Sequence, residues 1–301
     1  PIHWTDYKEG KGFWSITRHH DIAKMIGNTK VFTSEQGIRM EDQTHEEYLA
    51  RRTFQEIDGT GHRNSRMKVA KAFSGPVIIE FEEKIRSLCS DILDNTLPMI
   101  DFDATKHIAR ELPMRMLGRI LGLPEEDLPW LVEKGDALIA NTDPDFTDHV
   151  LDKLDTNEFR LMPHNSPAGA ELYEYAETLM EKRLKTDNTN SILHMVMQPA
   201  VDGSKLSETE FKNFFCQLVA AGNDTTRYSI AAGIHALCHQ PELLKQMKNE
   251  PTVWETAPDE IVRWASPVNY FRRTATKDFS IHNKIIKKGD KVLYWFASGN
   301  R

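Results

Sequence analysis

The chain has 301 residues, 40% of them hydrophobic, and a formal net charge of −7. That length supports one large core or two smaller ones, and the acidic balance excludes a nucleic-acid footprint over the chain as a whole. No run of about 18 apolar residues occurs, so nothing reads as a membrane span.

The first residues, PIHWTDYKEGKGFW, carry no signal-peptide pattern. Phe13 to Arg18 (FWSITR) alternates large apolar and small polar residues and predicts a strand. A short helix follows, ending near Gly27. Residues 34 to 60 are polar and irregular and read as a long loop. From His62 to about Leu97 the pattern is helical, broken at Ser74-Gly75-Pro76, and two further helices divide at Gly122-Leu123-Pro124. Residues 141 to 168 carry Pro144, Pro163 and Pro167 among several Asp and Asn, which predicts a lid-like loop with short helices. An amphipathic helix, AGAELYEYAETLMEKRLK, comes next.

Ser207 stands three residues before Glu210, ahead of Phe211, Phe214, Phe215, Leu218 and Val219. A capping box followed by an apolar helical period predicts a helix from there to about Cys238. Its middle holds a notch: Gly222, Asn223, Asp224, Thr225 and Thr226 each weaken a helix. One reading is a helix bent by glycine and by Thr hydroxyls bonding back to carbonyls. The other is a groove, with Gly222 leaving room for a ligand and Asp224 and Thr225 passing protons into a dry pocket. After another helical stretch, residues 268 to 301 turn β-like, with turns at His282-Asn283-Lys284 and Lys288-Gly289-Asp290.

Other constellations are weak singly. Glu260 and Arg263 form an i, i+3 pair, which alone reads as a surface ion pair. His62 and Arg66 stand at i, i+4 and can donate to one anion. Arg273 on a strand needs an anionic partner if it points inward. His235, Cys238 and His239 share one helix without a fourth metal ligand. No His-Glu-x-x-His, Gly-x-Ser-x-Gly or glycine-rich phosphate loop occurs. The three cysteines, Cys89, Cys216 and Cys238, are odd in number and far apart, which argues against a disulfide framework and for the cytoplasm.

Taken together and in this order, AGNDTT, EIVR, HRNSR and the stretch SPVNYFRRTATKDFSIHNKIIKKGDKVLYWFASGNR resemble the cytochrome P-450 superfamily of heme-thiolate monooxygenases. The resemblance covers nearly the whole chain. It implies a mainly α fold, a large helical domain with a long central helix (about 62–265) plus a small β-rich subdomain (about 1–35 and 268–301), in a single domain. It implies heme b as cofactor, with His62, Arg66 and Arg273 toward the propionates and Ala221 and Gly222 beside the oxygen-binding groove. Asp224 and Thr225 would then deliver protons, and Glu260 and Arg263 would be structural. The implied partners are O2, a hydrophobic substrate (a sterol, branched lipid or terpenoid) and a ferredoxin-type electron donor, acting on a monomer. Two departures stand out. The approach to His62 reads IDGTGH where the family usually has a proline, and no cysteine has the setting of the family's Phe-x-x-Gly-x-x-x-Cys-x-Gly loop, which implies a chain cut at both ends. A catalytically inactive helical protein that binds a hydrophobic ligand is the alternative.

Overall fold

The structure, a computed structural model, describes residues 2–7, 10–140, 143, 158–183, 191–200 and 202–301. In chain order its strands and helices are β1 (Ile2–Thr5), β2 (Phe13–Ile16), α1 (His19–Ile26), β3 (Phe32–Thr33), α2 (His45–Arg51), α3 (Gly59–Ala70), α4 (Gly75–Ile79), α5 (Glu82–Thr96), α6 (Glu111–Leu121), α7 (Leu128–Ile139), α8 (Pro167–Arg183), α9 (Ile192–Met197), α10 (Glu208–His239), α11 (Pro241–Asn249), α12 (Ala257–Ala265), β4 (Tyr270–Ala275), β5 (Phe279–Ile281), β6 (Lys284–Ile286), β7 (Lys291–Trp295) and α13 (Phe296–Gly299). They fall into two compact units. One joins Pro1–Arg63 to Gln240–Arg301, and the other is Asn64–His239.

The discontinuous unit is built on a five-stranded sheet of order β1-β2-β7-β4-β3. All its neighbours are antiparallel except β2 and β7, which run parallel with Phe13 opposite Lys291 and Ile16 opposite Tyr294. Ile16, Met25, Phe32, Val292 and Tyr294 are fully buried in its core. Each such side chain contributes about 1.5–3 kcal/mol. The separate β5–β6 hairpin turns through His282 and Asn283, both at positive φ, as a tight hairpin turn requires.

The expected loop over 34 to 60 is only partly a loop. It holds α2, which starts at a capping box: the Glu47 amide donates to Thr44 Oγ1 (3.2 Å) and the Thr44 amide to Glu47 Oε2 (2.7 Å). Its one buried residue is Tyr48, whose hydroxyl donates to the Glu56 carbonyl at 3.0 Å. A single buried tyrosine leaves no apolar period to read in the sequence. Of the expected lid-like region, residues 141–142 and 144–157 lie outside the described residues.

The contiguous unit is helical. α6 ends at Gly122, which takes φ +73°, and the Leu123 amide bonds back to the Gly118 carbonyl at 2.8 Å. This left-handed stop is one that glycine adopts without a Cβ clash. α10, 32 residues and about 48 Å long, packs against α6, α7 and α8. Its expected capping box is present, with the Ser207 amide donating to Glu210 Oε2 (2.8 Å) and the Glu210 amide to Ser207 Oγ (3.2 Å). The first half is buried on every side rather than on one stripe: Phe211, Phe215 and Val219 are joined by Lys212 and Asn213. Lys212 is accommodated by Glu208 (2.7 Å) and Glu177 (3.2 Å).

Candidate active site

α10 runs helical straight through its notch. Thr225 Oγ1 donates to the Ala221 carbonyl (2.8 Å), and Ser229 Oγ to the Thr225 carbonyl (2.8 Å). Hydroxyls bonded to the carbonyl four residues back let Thr and Ser sit inside a helix. A Cβ on Gly222 would lie 3.2 Å from Leu117 Cδ2. The space left by the missing side chain lies against Leu117 on α6. Ala221 is exposed and Thr225 half-buried. The Thr225 hydroxyl, with its proton given to Ala221, keeps lone pairs to accept a further bond.

The two acidic-amide residues of the notch belong to a charge cluster that no sequence spacing shows. Asp136 on α7 has a side chain only 6% exposed. It accepts from Arg110 Nε (2.6 Å), Arg227 Nη1 (2.6 Å) and Asn223 Nδ2 (3.1 Å). Arg227 uses its other end nitrogen, Nη2, on Asp224 Oδ1 at 2.5 Å. Arg110, Asp136 and Arg227 stand 26 and 91 residues apart, so only the packing of α7, α10 and the turn that leads into α6 brings them together. A carboxylate buried this deeply is tolerable because three donors surround it.

His62 and Arg66 lie one turn apart on α3, as expected, His62 in the first unit and Arg66 in the second. His62 is half-buried beside the Phe54 ring, 6.1 Å between centroids, and Arg66 is exposed. Arg273 and its neighbour Arg272 point to opposite faces of β4 and have opposite surroundings. Arg272, 4% exposed, donates to Asp42 Oδ1 (3.1 Å) and the Glu41 carbonyl (2.8 Å). Asp42 also takes Lys291 Nζ at 2.7 Å. Burial pushes the Asp42 carboxyl up, but Lys291 and Arg272 outweigh it and hold it below the usual carboxylate range. Arg273 donates through Nη1 to the Arg272 carbonyl (2.8 Å), while its buried Nε has no partner among the described residues. Burial pushes its guanidinium below the usual arginine value, against the pull of Tyr294 and Asp58. Asp58 is already committed to Thr33 Oγ1 (2.5 Å), Ser34 Oγ (2.8 Å) and the Ser34 amide (3.0 Å). The Tyr294 hydroxyl, on the neighbouring strand, is buried and likewise unpartnered. Sequence reading passed over Tyr294; its signal is a lone hydroxyl between Leu293 and Trp295 in β7.

Glu260 and Arg263 pair bidentately on α12, at 2.6 and 2.7 Å. Arg263 also donates to the Asn300 carbonyl, so it ties α12 to α13's exit. Both side chains are exposed, 61% and 44%. The cost of stranding a buried charge therefore does not apply to this pair, because water can replace either partner.

A heme brings two carboxylates and an iron. Arg273, a cation with no carboxylate in ion-pair contact among the described residues, has the chemistry to hold one of the carboxylates. The iron's thiolate finds no match among the chain's three cysteines. Burial pushes the Cys216 thiol up to about 12 and raises that of Cys89, the reverse of what a thiolate ligand needs; Cys238 is exposed near the end of α10.

No family model matches the chain. It is 31% identical over 311 residues to the steroid C26-monooxygenase of Mycolicibacterium smegmatis, covering 100% of this chain and 69% of that protein. A putative cytochrome P450 of Mycobacterium tuberculosis is 30% identical over 318 residues, 100% of this chain and 72% of its own length. The chain belongs to the cytochrome P450 family. Members are heme-thiolate monooxygenases that bind heme b and act on hydrophobic substrates with O2. A methyl-branched lipid omega-hydroxylase of Mycobacterium tuberculosis is 31% identical over 299 residues, 97% of this chain and 66% of its own length. Among solved structures, a Mycobacterium marinum cytochrome P450 in complex with pseudoionone aligns at TM-score 0.85 and 30% identity, over 100% of this chain and 72% of that one. The mainly α P450 fold with its small sheet region is thereby established. Among the described residues no helix is long and apolar enough to cross a membrane.

Proposed function

We propose that a P450 made of this chain together with a heme-ligating cysteine segment hydroxylates a sterol, methyl-branched lipid or terpenoid, that this chain alone is inactive, and that Thr225 and Asp224 manage the protons of that reaction. The substrate reading is supported by what relatives are named for: a steroid, a methyl-branched lipid and, as a bound ligand, pseudoionone. The proton reading is carried by one observation: Thr225 Oγ1 points its proton into the helix at Ala221 and leaves its lone pairs on a partly open face. There it can accept a proton or order a water, while Asp224 one residue earlier supplies a carboxylate within the same turn.

Heme b, when bound, supplies the iron that activates O2. Arg273, His62 and Arg66 would be the residues to hold its carboxylates, each by charge or a hydrogen bond. Thr225 holds a hydroxyl beside the reaction space, and Asp224 connects that space to solvent through its half-exposed side chain. Glu260 and Arg263 act locally, keeping α12 joined to Asn300. A ferredoxin-type donor supplies electrons to a monomeric, cytoplasmic enzyme. An inactive ligand-binding protein would gain nothing from a paired acid and hydroxyl.

Positioned proton transfer contributes about 10²–10⁴-fold. In the heme-loaded enzyme, Thr225→Ala is expected to keep electron uptake but to raise hydrogen peroxide per product formed. Assays of product, peroxide and reduced cofactor consumed give the answer; a fully coupled Thr225→Ala enzyme at unchanged rate ends the proposal. Parallel assays with a sterol, a methyl-branched fatty acid and a terpenoid ketone choose among the substrate classes.

A further inference from the structure

The geometry points to Asp136 as a positioning residue that divides Arg227, so that Asp224 is tethered through one oxygen and keeps the other for proton traffic. The inference rests on the proton role proposed for Asp224.

Arginine's guanidinium is a flat fork that grips a carboxylate through two parallel bonds when both of its ends are available. Arg227 stands three residues after Asp224 on the same helix and within reach of it. Left alone with that carboxylate, the fork would occupy both oxygens. It does not, because Nη1 is taken by Asp136 Oδ1 at 2.6 Å, and only Nη2 reaches Asp224 Oδ1, at 2.5 Å. Asp224 Oδ2 takes no donor among the described residues. Asp136 is itself fixed: Arg110 Nε holds its Oδ2 at 2.6 Å, and Asn223 Nδ2 reinforces Oδ1 at 3.1 Å. Asp136 is nearly inaccessible, while Asp224 is 36% exposed. The inner carboxylate thus anchors the arginine and the outer one stays half free. A carboxylate held at both oxygens is a poor proton carrier, since its lone pairs are engaged; an untethered one wanders. The one-armed hold avoids both.

The test compares heme-loaded enzymes carrying Asp136→Asn, Asp136→Glu, Arg227→Gln, Asp224→Asn, and the double variant Asp136→Asn with Arg227→Gln. Asp136→Asn weakens the anchor's charge and releases Nη1 toward Asp224. One extra charge-assisted bond on Asp224 is expected to slow turnover about tenfold, with peroxide per product unchanged. Asp136→Glu, which keeps the charge, restores most of the rate. In the Arg227→Gln background, adding Asp136→Asn has no further effect, because no fork remains to be released. A crystal structure of Asp136→Asn is expected to show Arg227 on both oxygens of Asp224. If Asp136→Asn slows turnover equally with and without Arg227→Gln, Asp136 acts through the fold and the inference is overturned. Failure of both single Asp136 variants to fold overturns it in the same way. If Asp224→Asn slows turnover while Asp136→Asn does not, the tether falls and the proton role stands. If Asp224→Asn turns over at the wild-type rate, the proton role falls and the tether with it.

Discussion

Two ion-paired regions of this P450 chain differ in opposite senses. The Glu260–Arg263 pair is legible in sequence as Glu-x-x-Arg, yet its side chains are 61% and 44% exposed. The Asp136 cluster has no sequence signature, yet its central carboxylate is 6% exposed and bridges Arg110, in the turn before α6, to Arg227 on α10. Spacing reveals pairs made within one helix, where the two groups would meet with or without a tertiary fold. The pairs on which stability depends are assembled across helices, where dehydration makes the loss of one partner expensive. A motif's visibility is therefore no guide to its energetic weight.

The largest expected effect breaks the hidden region. Asp136→Ala strands Arg110 and Arg227 near each other and costs about 3 kcal/mol, the low end for a buried pair because both arginines retain some water. Thermal unfolding measures it, and an unchanged melting temperature would erase the contrast. Asp42 offers an intermediate case. Two nearly inaccessible cations, Arg272 and Lys291, share a carboxylate that is 55% exposed. Asp42→Asn is expected to cost about 2 kcal/mol, reduced from the buried-pair range by that exposure. Its acid limb has a definite sign. The folded Asp42 is held below its ordinary value, so its contribution is present above about pH 4 and is lost as pH falls further. Denaturation curves from pH 6 to 3 should show wild type losing this increment and Asp42→Asn starting without it. Gly222→Ala comes next. The gain in helix propensity opposes a 3.2 Å contact with Leu117, so stability should shift by less than about 1 kcal/mol; a larger loss would mean that Leu117 cannot yield. Smallest is Glu260→Ala, for which the melting temperature should not move within error. A clear drop would show that the Arg263 bond to Asn300 depends on its acidic partner.

How much of this was readable follows the same line. α10 was legible because its capping box and phenylalanines are local. The hairpin at His282-Asn283 was legible because turn residues are local as well. The notch could be seen but not explained: Asn223 and Asp224 answer to Asp136 and Arg227, and Asp136 is far off in sequence. The arginine pair on β4 gave only half its meaning. That Arg273 would need an anion was inferable, but that Arg272 has one depends on where residues 39 to 42 fold back. α2 was missed because Tyr48, its one anchor, makes no period.

The parallel pairing of β2 with β7 joins residues 13–16 to residues 291–295, and this constrains the order in which the molecule can be made. A ribosome delivers Phe13 early and its strand partner Lys291 some 278 residues later. Meanwhile the contiguous helices from Asn64 to His239 emerge together, with contacts that close over short spans and form fast. The sheet must wait. During synthesis β1 and β2 are a hairpin with an open edge, and Ile16 has no Tyr294 beside it until translation reaches β7. Of the two units, the contiguous helical one can therefore fold before the sheet one, and the wait for β7 is the interval in which a chaperone would find something to hold.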